Sequence, residues 1–194
     1  RLLSNFYGFH HKPAALLSAL AVLFLSLCDC LSAYALPVLE EVEARTALPI
    51  ETNAIKDWPE GPVISAQAAI LIDAESGVIL YAKNIHEQLY PASTTKLLTC
   101  LIALERCSLD EIVTFSHNAV FDTPRDSSNI ALDEGNELTM EQCLNAILIA
   151  SANEVAYGVA EHITGTTWQD FAGIMNEKAA ELGCVDSNFV NPNG

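Results

Sequence analysis

Two short polar clusters in this chain have the residue types and spacing for covalent chemistry. The first is Ser93-Thr94-Thr95-Lys96, which follows Tyr90-Pro91-Ala92. A proline-bent entry into a helix at Ser93 puts Ser93 and Lys96 at i and i+3, on one face. A serine hydroxyl is a weak nucleophile until a neighbour takes its proton, and a lysine one turn away can do so when burial lowers its pKa. The helix start also offers unpaired backbone N–H groups where an acyl oxyanion would develop. One turn can thus supply nucleophile, base and oxyanion donor. The same spacing equally describes an N-cap serine beside a solvated lysine. The second cluster is Ser151-Ala152-Asn153, which follows a stripe too apolar to face solvent. A hydroxyl there can relay a proton between the lysine and a leaving amine, and a carboxamide can fix the lysine and a substrate carbonyl. The plainer alternative is a C-cap serine followed by an N-cap asparagine.

A hairpin and four helices must position these groups. The runs Ala68–Asp73 and Val78–Ala82 around Ala74-Glu75-Ser76-Gly77 predict the hairpin. After Ser93, Leu97, Leu98, Leu101, Ile102 and Leu104 recur at helical spacing and predict a helix buried on most faces. Residues 108–138 are polar and turn-rich, with one β-like run, Ile112–Phe115. Thr139-x-x-Gln142 reads as a capping box opening a second helix whose inner stripe is Cys143, Leu144, Ile147 and Leu148. A third helix is expected from Asn153 to Ile163, stopped by Thr164-Gly165. A fourth opens at Thr167-x-x-Asp170, presents Trp168, Phe171, Ile174, Met175 and Leu182, and closes at Gly183.

Upstream, residues 36–64 hold Pro37, Pro49, Pro59 and Pro62 among acidic residues and read as a flexible, exposed lead-in. Further upstream, Arg1, His10, His11 and Lys12 precede an apolar stretch from Pro13 to Cys28, and Ala33-Tyr34-Ala35 follows. That is the layout of a secretory signal peptide over residues 1–35, cleaved after Ala35, with an uncleaved anchor or a lipid on Cys28 as weaker alternatives. The expected location is therefore extracytoplasmic.

The chain has 194 residues, a formal charge of −16 and 51% hydrophobic residues. Enough apolar side chain is present for a core, which excludes a disordered acidic tail. The nine Lys and Arg residues are scattered, which argues against nucleic acid. Cys100 and Cys107 fall two turns apart on one predicted helix, about 10 Å by helical rise and too far to bridge. With Cys143 and Cys184 they read as free thiols. No C-x-x-C or H-E-x-x-H spacing involves these cysteines or His86, His117 and His162, so no metal site is expected. His162 reads as a cation at a helix C-terminus, and Ser127-Ser128-Asn129 as turn chemistry.

In this order, the two clusters resemble those of the penicilloyl serine transferases. More closely, Ala69-Ile70-Leu71-Ile72-Asp73, Ser76-Gly77, Asn84, Tyr90-Pro91-Ala92-Ser93-Thr94-Thr95-Lys96 and Ser151-Ala152-Asn153-Glu154 resemble the serine-type D-alanyl-D-alanine carboxypeptidases, the low-molecular-mass penicillin-binding proteins. Asn191-Pro192-Asn193-Gly194 is similar to that family's Asn-Pro-x-Gly segment. The resemblance runs over residues 65–194. It implies an α+β, β-lactamase/transpeptidase-like fold, with the first hairpin and most of the helical region present and the remaining sheet strands absent. It also implies Ser93 as acylated nucleophile, Lys96 as its base, Ser151 as second catalytic element and Asn153 as substrate-binding residue. The substrate would be a peptidoglycan stem peptide ending in D-Ala-D-Ala, with β-lactams as covalent inhibitors and no metal or organic cofactor. Membrane association would come through segments outside this sequence.

The family's third motif, Lys-Thr-Gly, is missing: Lys178 precedes Ala179-Ala180, and His162-Ile163-Thr164-Gly165 lacks the lysine. The chain therefore reads as a truncation, with residues 36–194 expected to be inactive alone. Glu141-Gln142-Cys143-Leu144-Asn145 matches the deacylation string of class A β-lactamases but precedes Ser151, where that family places it afterwards. A non-catalytic wall-binding module is the remaining alternative.

Overall fold

The computed structural model describes residues 37–124 and 126–194, and the expected signal peptide lies outside them. The described residues divide into two compact units between Glu87 and Gln88.

In the first unit, strands β1 (Ala69–Ile72) and β2 (Ile79–Lys83) pair antiparallel, with Ala69 opposite Lys83 and Leu71 opposite Tyr81. The turn closes as its residue types require. The Asp73 carboxylate accepts the Ser76 N–H at 2.8 Å and the Ser76 hydroxyl, which holds its pKa below the usual aspartate range, and Gly77 adopts φ +72°.

The lead-in, expected to be flexible and exposed, carries local structure. Helix α1 covers residues 37–46, a 3-10 turn covers Glu51–Ala54, and the segment binds the hairpin. Lys83 is fully buried, and its Nζ donates to Arg45 O at 2.8 Å and Ile64 O at 2.7 Å. Tyr81 donates its hydroxyl to Pro62 O at 3.1 Å, and Trp58 donates Nε1–H to Leu80 O at 3.0 Å. The expected boundary near Ser65 thus falls inside one unit. Single backbone carbonyls make these contacts, so no periodicity in the lead-in announces them.

The second unit is mostly helical: α2 (Thr95–Arg106), α3 (His117–Phe121), α4 (Met140–Ala150), α5 (Asn153–Thr164) and α6 (Phe171–Glu181). A small antiparallel ladder joins β3 (Ile112–Thr114) to β4 (Glu137–Thr139). Helix α5 is the central element. Val155, Ala156, Tyr157, Gly158, Val159 and Ala160 are buried in succession, which requires neighbours on every side. Cys100, Val113, Phe115, Met140, Cys143 and Ile147 pack with it in one core cluster, and Ile102, Phe171 and Met175 form a second with Ala160.

The caps act as read. Thr139 and Gln142 form the capping box of α4, Thr167 and Asp170 form a second before α6, and Gly165 ends α5 at φ +68°. Strand β4 and helix α3 went unseen because each is only 3 or 5 residues long, too short to show a period.

Helix α2 is not buried on most faces. Leu97 and Leu104 are 63% and 57% exposed, whereas Thr95, Lys96 and Thr99 are buried. Likewise Leu148 of α4, and Leu182 after α6, stay exposed.

Gly158 illustrates how tight the centre is. A Cβ there would stand 2.4 Å from the ring of Phe115, itself buried in the core. Mid-helix Gly→Ala ordinarily stabilises by about 0.5–1 kcal/mol. Here Gly158→Ala is expected to destabilise by about 1–3 kcal/mol, the cost of overpacking, read as a lowered denaturation midpoint at constant slope.

Candidate active site

Ser93 lies in a 3-10 turn, Ala92–Thr94, that runs directly into α2. Pro91 begins the bend, and Ala92 takes φ +47°, a left-handed conformation that costs an alanine about 1–2 kcal/mol. The turn leaves the Ser93 side chain exposed and points Lys96, one turn on, inward at 2% exposure. Lys96 Nζ donates to Ser93 Oγ at 3.1 Å and to Asn193 O at 2.9 Å. Burial pushes the lysine pKa down, and Cys100 nearby raises it by less. Ammonium hydration is lost there, which shifts the balance toward the neutral amine relative to an exposed lysine.

Ser151 reaches the same hydroxyl from α4. It is the C-cap of that helix at φ +54°, and its Oγ donates to Ser93 Oγ at 3.1 Å. Two non-glycine residues in the left-handed region therefore flank one serine, a concentration of backbone strain seen at functional sites. Asn153 is the first residue of α5 rather than its N-cap, which is Ala152. Its N–H donates to Ser128 O at 2.9 Å, but its side chain makes no hydrogen bond to Ser93, Lys96 or Ser151. The structure thus brings three of the four residues singled out into direct contact.

The segment that holds Lys96 from the far side carries a family resemblance in its residue types but no spacing that marks it as part of a site. Asn191 Oδ1 accepts the N–H groups of Asn193 and Gly194 at 3.2 and 2.6 Å and folds Asn191–Gly194 into a turn. The carbonyls of that turn face α2: Asn193 O accepts from Lys96, and Pro192 O accepts from Thr99 Oγ1 at 2.7 Å. Gly194, at φ +89°, has no room for a Cβ, which would lie 1.8 Å from Ala92 O. The glycine lets the turn close against the residue before Ser93. Thr99→Val is expected to leave the Pro192 carbonyl unpaired, destabilise by about 1–3 kcal/mol and loosen the partner of Lys96. A lowered Tm with slower acylation would be the readout.

The loop ahead of α5 is bound to it at the same place. Ile130 N–H donates to Glu154 Oε1 at 2.6 Å, beside the bond from Asn153 to Ser128. Within Ser127-Ser128-Asn129 the side chains make turn bonds, with Asn129 Nδ2 donating to Ser127 O at 2.8 Å. The four thiols Cys100, Cys107, Cys143 and Cys184 are free, and burial pushes Cys100 up to about 11 and Cys143 to about 12. Neither of those two is a competing nucleophile at neutral pH.

An exposed serine, a buried lysine one turn away and a second serine hydroxyl, set among helices in this order, are the arrangement expected of the β-lactamase/transpeptidase-like fold. The chain belongs to the D-alanyl-D-alanine carboxypeptidase family, peptidase S11, whose sequence profile matches residues 55–194. It is 38% identical over 135 residues to the D-alanyl-D-alanine carboxypeptidase DacF of Bacillus subtilis, covering 66% of this chain and 33% of the relative. It is 32% identical to DacA of Haemophilus influenzae, covering 80% and 41%. Penicillin binding protein 6B from Escherichia coli superposes with a TM-score of 0.65 at 31% identity, over 72% of this chain and 46% of the other. The expected fold is thus the observed one in part. The chain spans between a third and a half of the length of these relatives.

Proposed function

We propose that this chain carries the acylating centre of a serine D-Ala-D-Ala carboxypeptidase. One observation carries the proposal: the Ser93 hydroxyl lies 3.1 Å from both the buried Lys96 amine and the Ser151 hydroxyl. In its neutral form Lys96 has a lone pair to accept the Ser93 proton as Oγ attacks the carbonyl of the penultimate D-alanine. The Ser93 N–H makes no hydrogen bond among the described residues and is a donor for the oxyanion. Ser151 then passes the proton to the departing D-alanine nitrogen, and water attacks the Ser93 ester to release the shortened peptide. Asn153 would meet the substrate amide, which fits its side chain's lack of a bond to the catalytic trio.

The substrate would be a peptidoglycan stem peptide, met outside the cytoplasmic membrane. β-Lactams, whose strained amide mimics the scissile bond, would acylate the same serine. The relatives' names, carboxypeptidase and penicillin binding protein, support both statements. The test incubates a form of the protein extended through a Lys-Thr-Gly strand with benzylpenicillin and follows the intact mass, then assays D-alanine release from a peptide ending in D-Ala-D-Ala, which residues 36–194 alone are expected not to release. A long-lived adduct on the peptide bearing Ser93, with D-alanine released, is the expected result. Rapid loss of the adduct with hydrolysed penicillin would make the protein a β-lactamase, and no adduct would make it a binding module.

A further inference from the structure

Away from the acylating centre, three groups that share no sequence spacing meet at one point. Cys107 immediately follows α2, Glu111 lies in the turn before β3, and His162 sits in the last turn of α5. One donor atom from each, a thiol sulfur, a carboxylate oxygen and an imidazole nitrogen, lie within 4.8 Å of one another. All three residues are half-buried rather than solvated.

We propose that Cys107, Glu111 and His162 form a zinc site that ties together the ends of α2, β3 and α5. The donor set selects the metal: sulfur and imidazole suit a borderline-soft ion, whereas calcium and magnesium require oxygen donors. Bonds of about 2.0–2.3 Å need each donor to close by roughly half an ångström, within reach of side-chain rotation. Glu111 is already oriented for the task. One carboxylate oxygen accepts the Ser108 N–H at 2.5 Å, while the other faces His162 Nε2 at 2.9 Å. A held ligand of this kind loses less freedom on binding.

Charge also balances. Thiolate and carboxylate neutralise the dication, so Arg106, which lines the same pocket, meets no net positive charge. The pocket, about 380 Å³ and lined also by Ile163, leaves an open side where water completes a tetrahedron. Binding converts the Cys107 thiol to thiolate and releases its proton to solvent. Along α2 the site lies about 16 Å from Lys96, so the ion would brace the helix and take no part in acylation.

The test uses reduced, chelator-treated protein. One equivalent of Zn²⁺ should be retained and should raise Tm. Co²⁺ in its place should give a thiolate-to-cobalt charge-transfer band and the intense visible bands of tetrahedral geometry. Cys107→Ser should abolish the charge-transfer band, and His162→Gln should weaken Zn²⁺ binding at least ~10-fold. The control Cys184→Ser, at the exposed thiol, should change neither. If Cys107→Ser fails to fold, Glu111→Gln, at a half-exposed residue, takes its place and should also lower affinity. A Co²⁺ complex without a thiolate band, or Zn²⁺ binding lost in Cys184→Ser but kept in the other variants, would overturn the proposal.

Discussion

Ser93→Ala, in a form of the protein extended through a Lys-Thr-Gly strand, is expected to abolish covalent labelling by a fluorescent penicillin while leaving Tm nearly unchanged. The Ser93 oxygen is the one to which both Lys96 Nζ and Ser151 Oγ donate, so its removal takes away the atom on which base and relay converge. The adjacent hydroxyl cannot replace it, because Thr94 Oγ1 is turned back to donate to Pro91 O at 2.6 Å. Ser151 is held at φ +54° as the C-cap of α4 and has no lysine one turn away, with Leu148 before it and Glu154 after it. The acylation rate should fall by roughly 10⁴-fold or more, as removing an active serine does elsewhere. The exposed position of Ser93 keeps the stability change within about 0.5 kcal/mol. Mass spectrometry of the labelled digest decides the matter: an adduct on any other residue of the variant refutes Ser93 as nucleophile.

The second large effect belongs to Lys96. Lys96→Arg keeps a positive charge and a hydrogen-bond donor but removes any base, because a guanidinium does not deprotonate in proteins. If the lysine acts as a free amine, acylation falls about 10²–10⁴-fold. If it serves only as a cation, the variant stays within tenfold of the parent and the assignment fails. The pH profile gives an independent reading. Burial lowers the Lys96 pKa, so the proton-free amine is populated at lower pH than in an exposed lysine. Acylation should therefore rise with pH through that lowered pKa and then level off. Lys96→Arg should lose this rising limb.

Helix ends and the hairpin were legible because they depend on local chemistry. The Thr139–Gln142 and Thr167–Asp170 boxes, the stop at Gly165 and the Asp73–Ser76 turn each satisfy backbone groups within three or four residues, and each is where the sequence predicts it. The faces of the helices were less legible. The leucines of α2 follow a helical period, yet the structure turns Lys96 and Thr99 inward, where polar partners from a distant segment await them. Period alone marks a helix but not which side a site claims.

By itself the sequence determined the identities and order of the groups proposed to react: a serine three residues before a lysine, a second serine downstream, and the family resemblance that these carry. The one-turn spacing of Ser93 and Lys96 needs only a helix to bring them together. Tertiary structure alone decided the rest. Packing of α4 and α5 brings Ser151 to Ser93, burial turns Lys96 toward a base, and the turn Asn191–Gly194 supplies the carbonyl that holds it. The same is true of the approach of Cys107, Glu111 and His162, and of the lead-in carbonyls around Lys83. The physical reason is common to all of these. Desolvation and long-range hydrogen bonds depend on what lies across a gap of many residues, and no local pattern of residue types records it.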